Sequence, residues 1–318
     1  MPRQKVRRKV KGRVSKVICG DAAEILKTLP QGSVNMCVTS PPYYGFRDYG
    51  EGGQIGLEQT PQEYIVRLTE VFDEVKRVIA DDGTLWLNIG DTYANKPYKN
   101  VKQKDLIGIP WLLAFVLRGR GWYLRSDIIW HKTNALPEGV RDRPAKCYEH
   151  IFLLAKSPKY YFDYKAIQEP IKAVTADRYT RGRSGKAKYS NAPIGQNIDM
   201  NTQAITDERR KMRRCKDVWE VATNTYKMDE HFAMFPEKLI EPCILAGSRE
   251  GGVVLDPFLG SGTTGAVAKR LGREYIGIDI NPRYIEKAEM RIAEVTPEKP
   301  YGNAMEYVLK TTAGGGTI

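Results

Sequence analysis

The sequence predicts an α/β fold: a mostly parallel, doubly wound sheet with helices on both faces. Short apolar segments alternate along the chain with segments whose apolar residues repeat at helical spacing. Two of the apolar segments lead into loops of small or polar residues, as strands of open α/β sheets do at the edge where ligands bind. A long stretch, residues 157–225, follows neither pattern and interrupts the series.

The first half of the chain supplies five predicted strands and three predicted helices. The strands are Val14–Asp21, Val34–Thr39, Thr84–Ile89, Trp122–Trp130 and Ile151–Ala155, and the helices are Ala22–Leu29, Pro61–Ile79 and Ile109–Leu117. The mostly apolar Val34–Thr39 is typical of a strand buried on both faces. Pro61 suits the first turn of a helix. Asp81-Asp82-Gly83 predicts a turn into the third strand.

Regular patterns return after residue 225. The predicted helices there are Pro236–Leu245, Thr263–Leu271 and Pro282–Ala293, and the predicted strands are Val253–Leu255 and Glu274–Ile280. Gly314–Gly316 suggests a loosely ordered end. The alternation of strands with helices is what indicates a parallel sheet covered on both faces.

The positive charge lies in two blocks. The 318 residues carry a net charge of +12. Residues 1–16 hold eight basic residues and no acid, and residues 172–216 hold twelve basic residues against four acids, so each block carries +8 and the remainder −4. Two such blocks predict a polyanionic partner such as DNA or RNA. For residues 1–12, a solvated tail without a partner stays open as an alternative.

Composition also excludes some classes of protein. The longest apolar run, Trp111–Leu117, is far shorter than the ~20 residues of a membrane span. The five cysteines are never spaced Cys-x-x-Cys, which argues against a disulfide scaffold and a structural zinc site, and we expect no bound metal. We expect a reducing, cytoplasmic compartment.

A glycine-rich loop joins a predicted strand to a predicted helix. The strand enters Asp256-Pro257-Phe258-Leu259-Gly260-Ser261-Gly262-Thr263, and Asp279 ends the next strand. Small residues let a ligand approach the backbone, and a carboxylate at that place can bind both ribose hydroxyls, which predicts NAD or S-adenosylmethionine. A carboxylate at Asp256 would repel a pyrophosphate but suits the cationic amino-acid end of S-adenosylmethionine, and so favours the methyl donor.

A second motif, Thr39-Ser40-Pro41-Pro42-Tyr43-Tyr44-Gly45, follows a buried strand. Its two prolines fix the backbone and remove two N–H donors, leaving carbonyls and the Ser40 hydroxyl as acceptors. Acceptors beside an aromatic ring suit a planar group with an amine: the acceptors hold the amine hydrogens while Tyr43 stacks on the ring.

Together these motifs resemble those of exocyclic-amino DNA methyltransferases, which use S-adenosylmethionine. Ser40-Pro41-Pro42-Tyr43 is the form typical of N4-cytosine enzymes, whereas N6-adenine enzymes more often have Asp-Pro-Pro-Tyr. Residues 256–264 resemble the cofactor loop of the family. The catalytic motif precedes the cofactor motif, as in the permuted beta class.

Other segments fit that order. Gly20-Asp21 resembles a strand end whose acid contacts adenine, and Gly90-Asp91 ends the strand after the catalytic one. Asp127–Lys132 resembles a motif near the flipped base. His231–Pro236 resembles the segment before the cofactor loop, although Phe232 stands where the family often has proline. Residues 157–225 lie where the family has its target-recognition region.

The resemblance implies a sheet of about seven strands in a Rossmann-like methyltransferase domain with a basic recognition insertion. The implied parts are 1–13, a basic arm; 14–156, the catalytic half; 157–225, the target-recognition insertion; 226–295, the cofactor-binding half; and 296–318, a tail. The implied reaction moves a methyl group from S-adenosylmethionine to cytosine N4 in double-stranded DNA, at a base flipped out of the helix. The resemblance also allows a cognate restriction endonuclease as a partner. It leaves open whether the chain is a monomer or a homodimer.

The resemblance also assigns site residues. The catalytic ones are Ser40, Pro41, Pro42 and Tyr43. The cofactor-binding ones are Asp21, Phe235, Asp256, Pro257, Phe258, Gly260, Ser261, Gly262, Thr263 and Asp279. The basic insertion adds seven arginines expected to bind DNA, namely Arg178, Arg181, Arg183, Arg209, Arg210, Arg213 and Arg214.

Two rival enzymes remain, and a DNA-binding module without catalysis is a further alternative, although both chemical motifs are intact. The same chemistry on adenine N6 differs only in the shape of the base pocket. An NAD-dependent oxidoreductase would leave the Pro-Pro motif and the basic insertion without a role. Methylation of a base carbon needs a covalent cysteine, but Cys243 falls within an apolar helical pattern and is predicted to be a core residue.

Overall fold

The computed structural model of the chain describes residues 14–171, 212–223 and 235–298. The chain divides into two compact units, Met1–Asp163 with Asp217–Pro300 and Tyr164–Lys216 with Tyr301–Ile318. The strands in chain order are β1 (Lys16–Cys19), β2 (Val34–Thr39), β3 (Ile79–Ile89), β4 (Tyr123–His131), β5 (Tyr148–Ala155), β6 (Glu169–Pro170), β7 (Met212–Arg213), β8 (Val218–Glu220), β9 (Val253–Asp256) and β10 (Glu274–Asp279). The described helices are α1 (Ala22–Thr28), α2 (Pro61–Val78), α3 (Ile109–Gly119), α4 (Glu237–Gly247), α5 (Thr263–Arg270) and α6 (Pro282–Glu294).

The larger unit contains an eight-stranded sheet with the order β1-β10-β9-β2-β3-β5-β4-β8. The first five strands in this order, from β1 to β3, are parallel, and β5 runs antiparallel to both β3 and β4. The prediction of a mostly parallel α/β sheet is confirmed. β6 and β7 form a separate antiparallel pair in the smaller unit.

Helices cover both faces of the sheet. α2 packs against both α1 and α3, and α4, α5 and α6 form a second group. Successive strand residues point to opposite faces, so Leu85, Leu87 and Ile89 join the core beneath the first group, whereas the buried Trp86 lies on the other face. Both layers exclude water from residues 83–89 of β3, which explains the apolar run at residues 85–87.

Local signals account for the start of α2. Thr60 accepts a hydrogen bond from the Glu63 backbone amide (3.2 Å), and the Glu63 carboxylate accepts one from the Thr60 amide (3.2 Å). This reciprocal capping satisfies two backbone donors that a helix start leaves open. Pro61 occupies the first turn, as predicted.

Two details differ from the prediction. Asp81-Asp82-Gly83 is not a turn but part of β3, where the pairing shifts: Val34 pairs with Ile79, and Met36 pairs with Thr84. A Cβ at Gly83 would lie 2.3 Å from Ile79, so this irregularity accepts only glycine. In addition, a short eighth strand, β8, pairs with β4 from within residues 157–225, where we predicted none.

The connections of the strands determine where a ligand can bind. From β9 the chain goes to β10 on one side of the sheet, and from β2 it goes to β3 on the other. β9 and β2 are neighbours, so their carboxyl ends lie at a topological switch point, the usual ligand site of such sheets. Both sequence motifs begin there.

Two findings bear on the classes considered above. None of the helices within the described ranges is long and apolar enough to span a membrane. Cys243 is buried in α4, where its thiol donates to the Leu239 carbonyl oxygen (3.5 Å), which confirms it as a core residue.

Candidate active site

A cavity of about 770 Å³ lies at the carboxyl edge of the sheet and brings the two motifs together. It is lined by Ser40, Pro41, Pro42 and Tyr43 of the catalytic motif. Five of the predicted cofactor residues line it too, namely Asp21, Pro257, Phe258, Gly260 and Asp279. Phe235 and Ser261 line it as well. The volume falls in the range of cavities that enclose small organic ligands, ~300–1,000 Å³.

Asp256 ends β9 behind this cavity instead of lining it. Its carboxylate is 1% exposed and accepts hydrogen bonds from the hydroxyls of Thr39 and Thr264 (2.6 Å each) and from the Phe258 amide (3.0 Å). We expected this carboxylate to contact a cationic ligand directly. In the structure it faces donors from the protein instead. Burial raises the pKa of Asp256 to about 6, and the three donors oppose that rise.

The glycine loop turns around this buried carboxylate. Gly260 has a positive φ of 53°, and a Cβ there would meet nothing within 4 Å, so this part of the loop is open to a ligand. Gly262 and Thr263 do not line the cavity. Gly262, at φ 87°, lies so close to α6 that a Cβ would be 2.8 Å from Ala288, and it therefore allows α5 and α6 to pack.

Asp279 presents its carboxylate to the cavity from the end of β10. One oxygen accepts a hydrogen bond from the Gly260 amide (2.8 Å), and the other accepts one from the Asn281 amide (2.9 Å). Burial raises its pKa, and these two amides oppose the rise. Each carboxylate oxygen has a second lone pair, so the group is held in place and can still accept from a pair of hydroxyls.

Two further predicted cofactor residues lie at the same cavity. Asp21 caps α1 by accepting the Glu24 amide (3.0 Å), which fixes its carboxylate at the cavity wall. Phe235 is buried and adds an apolar surface. Its predicted neighbour His231 falls outside the described residues. The residues present thus combine a diol acceptor, an open glycine loop and apolar walls, which fits an adenosine-containing cofactor.

Tyr43 is held by a network of buried polar groups. Its hydroxyl donates to Glu149 Oε2 (2.6 Å) and accepts from Ser40 Oγ (3.4 Å). Its ring lies over Gly90, where a Cβ would be 2.7 Å from the ring, so only glycine leaves room for it. Burial raises the pKa of Tyr43 well above its ordinary value, and the nearby Glu149 carboxylate raises it further, so the hydroxyl keeps its proton.

Glu149 connects three elements of the site. Besides the hydrogen bond from Tyr43, it accepts one from Lys132 Nζ (2.5 Å) at the end of β4 and one from Asn88 Nδ2 (3.1 Å) in β3. Lys132 belongs to the segment expected near the base, but Glu149 and Asn88 were not predicted. The one available signal was an acid, Glu149, at the start of an otherwise apolar strand. Its partner could not be inferred because Tyr43 lies far away in the sequence.

The arginines expected to bind DNA are only partly described. Arg178, Arg181, Arg183, Arg209 and Arg210 lie outside the described residues. In the smaller unit, Arg213 forms an ion pair with Glu169 (2.8 Å), and the Arg214 guanidinium lies 5.7 Å from the centre of the Tyr164 ring. Arg213 therefore has an internal partner, and its prediction as a DNA ligand stays a prediction.

Comparison with known proteins identifies the family. Residues 34–290 match the family model for the N6 and N4 DNA methylases. The chain is 43% identical over 301 residues to Type II methyltransferase M.SmaI of Serratia marcescens, covering 88% of this chain and 91% of that protein.

The chain belongs to the exocyclic-amino DNA methyltransferases.

A second member of this group, Type II methyltransferase M.Cfr9I of Citrobacter freundii, is 43% identical over 294 residues, 86% of each chain. Solved DNA methyltransferases share the fold. The cytosine-N4-specific PvuII enzyme superposes with a TM-score of 0.61 at 18% identity, covering 94% of this chain and 91% of that one. A DNA modification methylase of Thermus thermophilus, solved with S-adenosyl-L-methionine, has a TM-score of 0.57 at 25% identity, covering 88% and 95%. S-adenosylmethionine is the cofactor of this methyltransferase.

The Glu149 network predicts a defect in turnover without a defect in cofactor binding. Glu149→Gln removes the charge that holds Lys132 and accepts the Tyr43 hydroxyl, so the ring loses its fixed position. We expect methyl transfer at saturating cofactor to fall by roughly ten- to hundredfold, the size of a lost charge-assisted hydrogen bond. The cofactor dissociation constant should stay within about twofold of the wild type, measured by calorimetry.

A matched control is Asp142→Asn. Asp142 also pairs with a lysine, Lys104 (2.7 Å), but it is exposed and does not line the cavity. Its replacement should change neither quantity. If Glu149→Gln turned over as fast as this control, the Tyr43 ring would not need the hydrogen bond to Glu149 to hold it in place.

Proposed function

We propose that this methyltransferase acts on the N4 amine of a cytosine flipped out of duplex DNA. The observation that carries the proposal is the junction of both motifs in one cavity: Ser40 and Tyr43 share it with Asp279 and Gly260. The serine of Ser40-Pro41-Pro42-Tyr43, typical of N4-cytosine enzymes, supports cytosine as the target. The relatives M.SmaI and M.Cfr9I are Type II methyltransferases, which supports a site-specific role within a restriction–modification system.

The cofactor half of the cavity would hold S-adenosylmethionine, which supplies an electrophilic methyl group when bound. Asp279 would accept the ribose hydroxyls, since its carboxylate faces the cavity with free lone pairs. Phe235 and Phe258 would pack on the adenine. Asp21, fixed by its helix cap, would accept from the adenine amine. Asp256 would act indirectly by holding the loop between β9 and α5 in shape.

The catalytic half would receive the base. The ring of Tyr43 would stack on the cytosine, and its anchored hydroxyl keeps the ring from rotating. Ser40 Oγ and the Pro41 carbonyl would accept hydrogen bonds from the amine, which draws its nitrogen toward a tetrahedral shape and exposes the lone pair. Tyr64 donates to the Pro42 carbonyl (2.8 Å), so the turn that presents these acceptors is itself fixed. Catalysis would come from positioning and electrostatics.

DNA would be held by positive charge outside this cavity. The blocks at residues 1–16 and 172–216 carry +8 each, against −4 for the rest of the chain, and suit phosphate contacts. We assign target recognition to the arginines between residues 178 and 214, on charge and position in the chain. The scattered cysteines, never spaced Cys-x-x-Cys, support a reducing compartment such as the cytoplasm.

Variants of the two motifs should affect different steps. Ser40→Ala removes an acceptor of the amine, so methyl transfer should fall on the order of a hundredfold while cofactor affinity is kept. Asp279→Ala removes the ribose acceptor, so the cofactor dissociation constant should rise about ten- to hundredfold. Calorimetric titration and single-turnover transfer of a radiolabelled methyl group measure the two quantities. If Ser40→Ala changed affinity and Asp279→Ala did not, the roles of the two loops would be reversed.

The target base is decided by analysis of the product. DNA from a host that expresses the chain is digested to nucleosides and examined by mass spectrometry, with DNA from a host expressing Ser40→Ala as the control. We expect N4-methylcytosine that is absent from the control. N6-methyladenine in its place would make adenine the substrate of the same site.

A further inference from the structure

The loop between β4 and β5, residues 132–147, forms part of the cavity rim. β4 runs parallel to β8 and antiparallel to β5, so its carboxyl end lies at the same edge of the sheet as the ends of β2 and β3. Four consecutive residues of the loop, Ala135, Leu136, Pro137 and Glu138, line the cavity. The catalytic roles proposed above do not use them.

Leu136 has an unusual environment for an apolar side chain. It is 86% exposed, the highest value among the large apolar side chains that the structure describes, and Met290 follows at 68%. One exposed leucine has no meaning by itself. However, this one stands on the rim of the cavity that is proposed to receive a base.

The loop holds Leu136 in place from both sides. On one side Asn134 exchanges hydrogen bonds with the Thr223 backbone, donating to its carbonyl (3.0 Å) and accepting its amide (2.6 Å). On the other side the Glu138 carboxylate accepts from the Arg143 guanidinium (2.6 Å) and the Lys146 amide (3.2 Å). The side chain between these anchors is therefore presented to solvent by a fixed backbone, which lowers the entropy lost on binding a partner.

The surroundings of Leu136 suit DNA more than a protein partner. Residues 132–147 contain four basic residues and two acids. Arg143 also lies over the Tyr93 ring at 3.8 Å, and both residues line the cavity. Proteins that insert a side chain between base pairs combine an exposed apolar side chain with basic residues around it, which bind the flanking phosphates.

We propose that Leu136 enters the duplex and fills the space that the flipped base vacates. This inference rests on the proposed function, since a base must leave the helix to reach the Ser40 acceptors. The vacated space is apolar, because it is bounded by the faces of the neighbouring base pairs. A leucine there replaces part of the lost stacking and prevents the base from returning.

The test compares Leu136→Ala on two duplexes that carry the recognition sequence, once that sequence is mapped. In one duplex the target base is correctly paired, and in the other it faces a mismatch, which already weakens its stacking and pairing. We expect single-turnover methylation of the paired duplex to fall on the order of tenfold and that of the mismatched duplex by less than about twofold. Leu136→Met, which keeps an apolar chain of similar length, should restore the wild-type rate on both.

The control is Val140→Ala in the same loop. Val140 is 39% exposed and does not line the cavity, so the variant should match the wild type on both duplexes. Equal slowing of Leu136→Ala on both duplexes would place Leu136 on the flipped base inside the cavity and overturn the proposal. No slowing on either would also overturn it.

A second readout separates this proposal from the proposed function. A fluorescent base analogue at the target position brightens when it leaves the stack, whether or not a methyl group is transferred. A wild-type chain that flips the analogue without methylating DNA would contradict the proposed function alone. If Leu136→Ala flips the analogue as fully as the wild type, Leu136 does not hold the base out.

Discussion

The two halves of the site depend on one buried carboxylate. The Asp256 carboxylate accepts hydrogen bonds from the hydroxyls of Thr39, at the end of β2, and Thr264, in the first turn of α5. It also accepts one from the Phe258 amide in the loop between β9 and α5. Burying a charge costs free energy unless donors replace the lost water, and here three of them do. Because Thr39 immediately precedes Ser40, the same carboxylate that shapes the cofactor loop also fixes the start of the catalytic loop. The spacing between methyl donor and acceptor would follow from this interaction.

Much of the fold follows from local sequence. The mostly apolar run of β2, the capped and periodic α2, and the strand–glycine–helix pattern at β9 each contain their own signal, and all are present in the structure. The irregularity in β3 misled the prediction because Asp81-Asp82-Gly83 resembles a turn when taken alone. Only the pairing with β2 shows that the extra residues are absorbed within the strand. β8 is three residues long, too short for a period to be seen.

The site was predictable where a motif is contiguous, and was not where the fold brings distant residues together. Ser40 to Tyr43 and the loop after Asp256 could be found because each lies in one short segment. Glu149 could not, since its function depends on β5 lying beside β3, a pairing between strands distant in sequence. For Asp256 the sequence predicted a contact with the ligand, whereas in the structure its carboxylate accepts hydrogen bonds from Thr39 and Thr264.

The most direct test of this account is Asp256→Asn, which keeps the shape of the side chain but removes its charge. Cofactor affinity and the rate of methyl transfer at saturating cofactor should be measured on the same preparation, after its fold is verified by circular dichroism. If the carboxylate joins both loops, the dissociation constant should rise and the saturated rate should fall, each on the order of tenfold. A weaker affinity with an unchanged saturated rate would contradict the account, because Asp256 would then serve the cofactor loop alone.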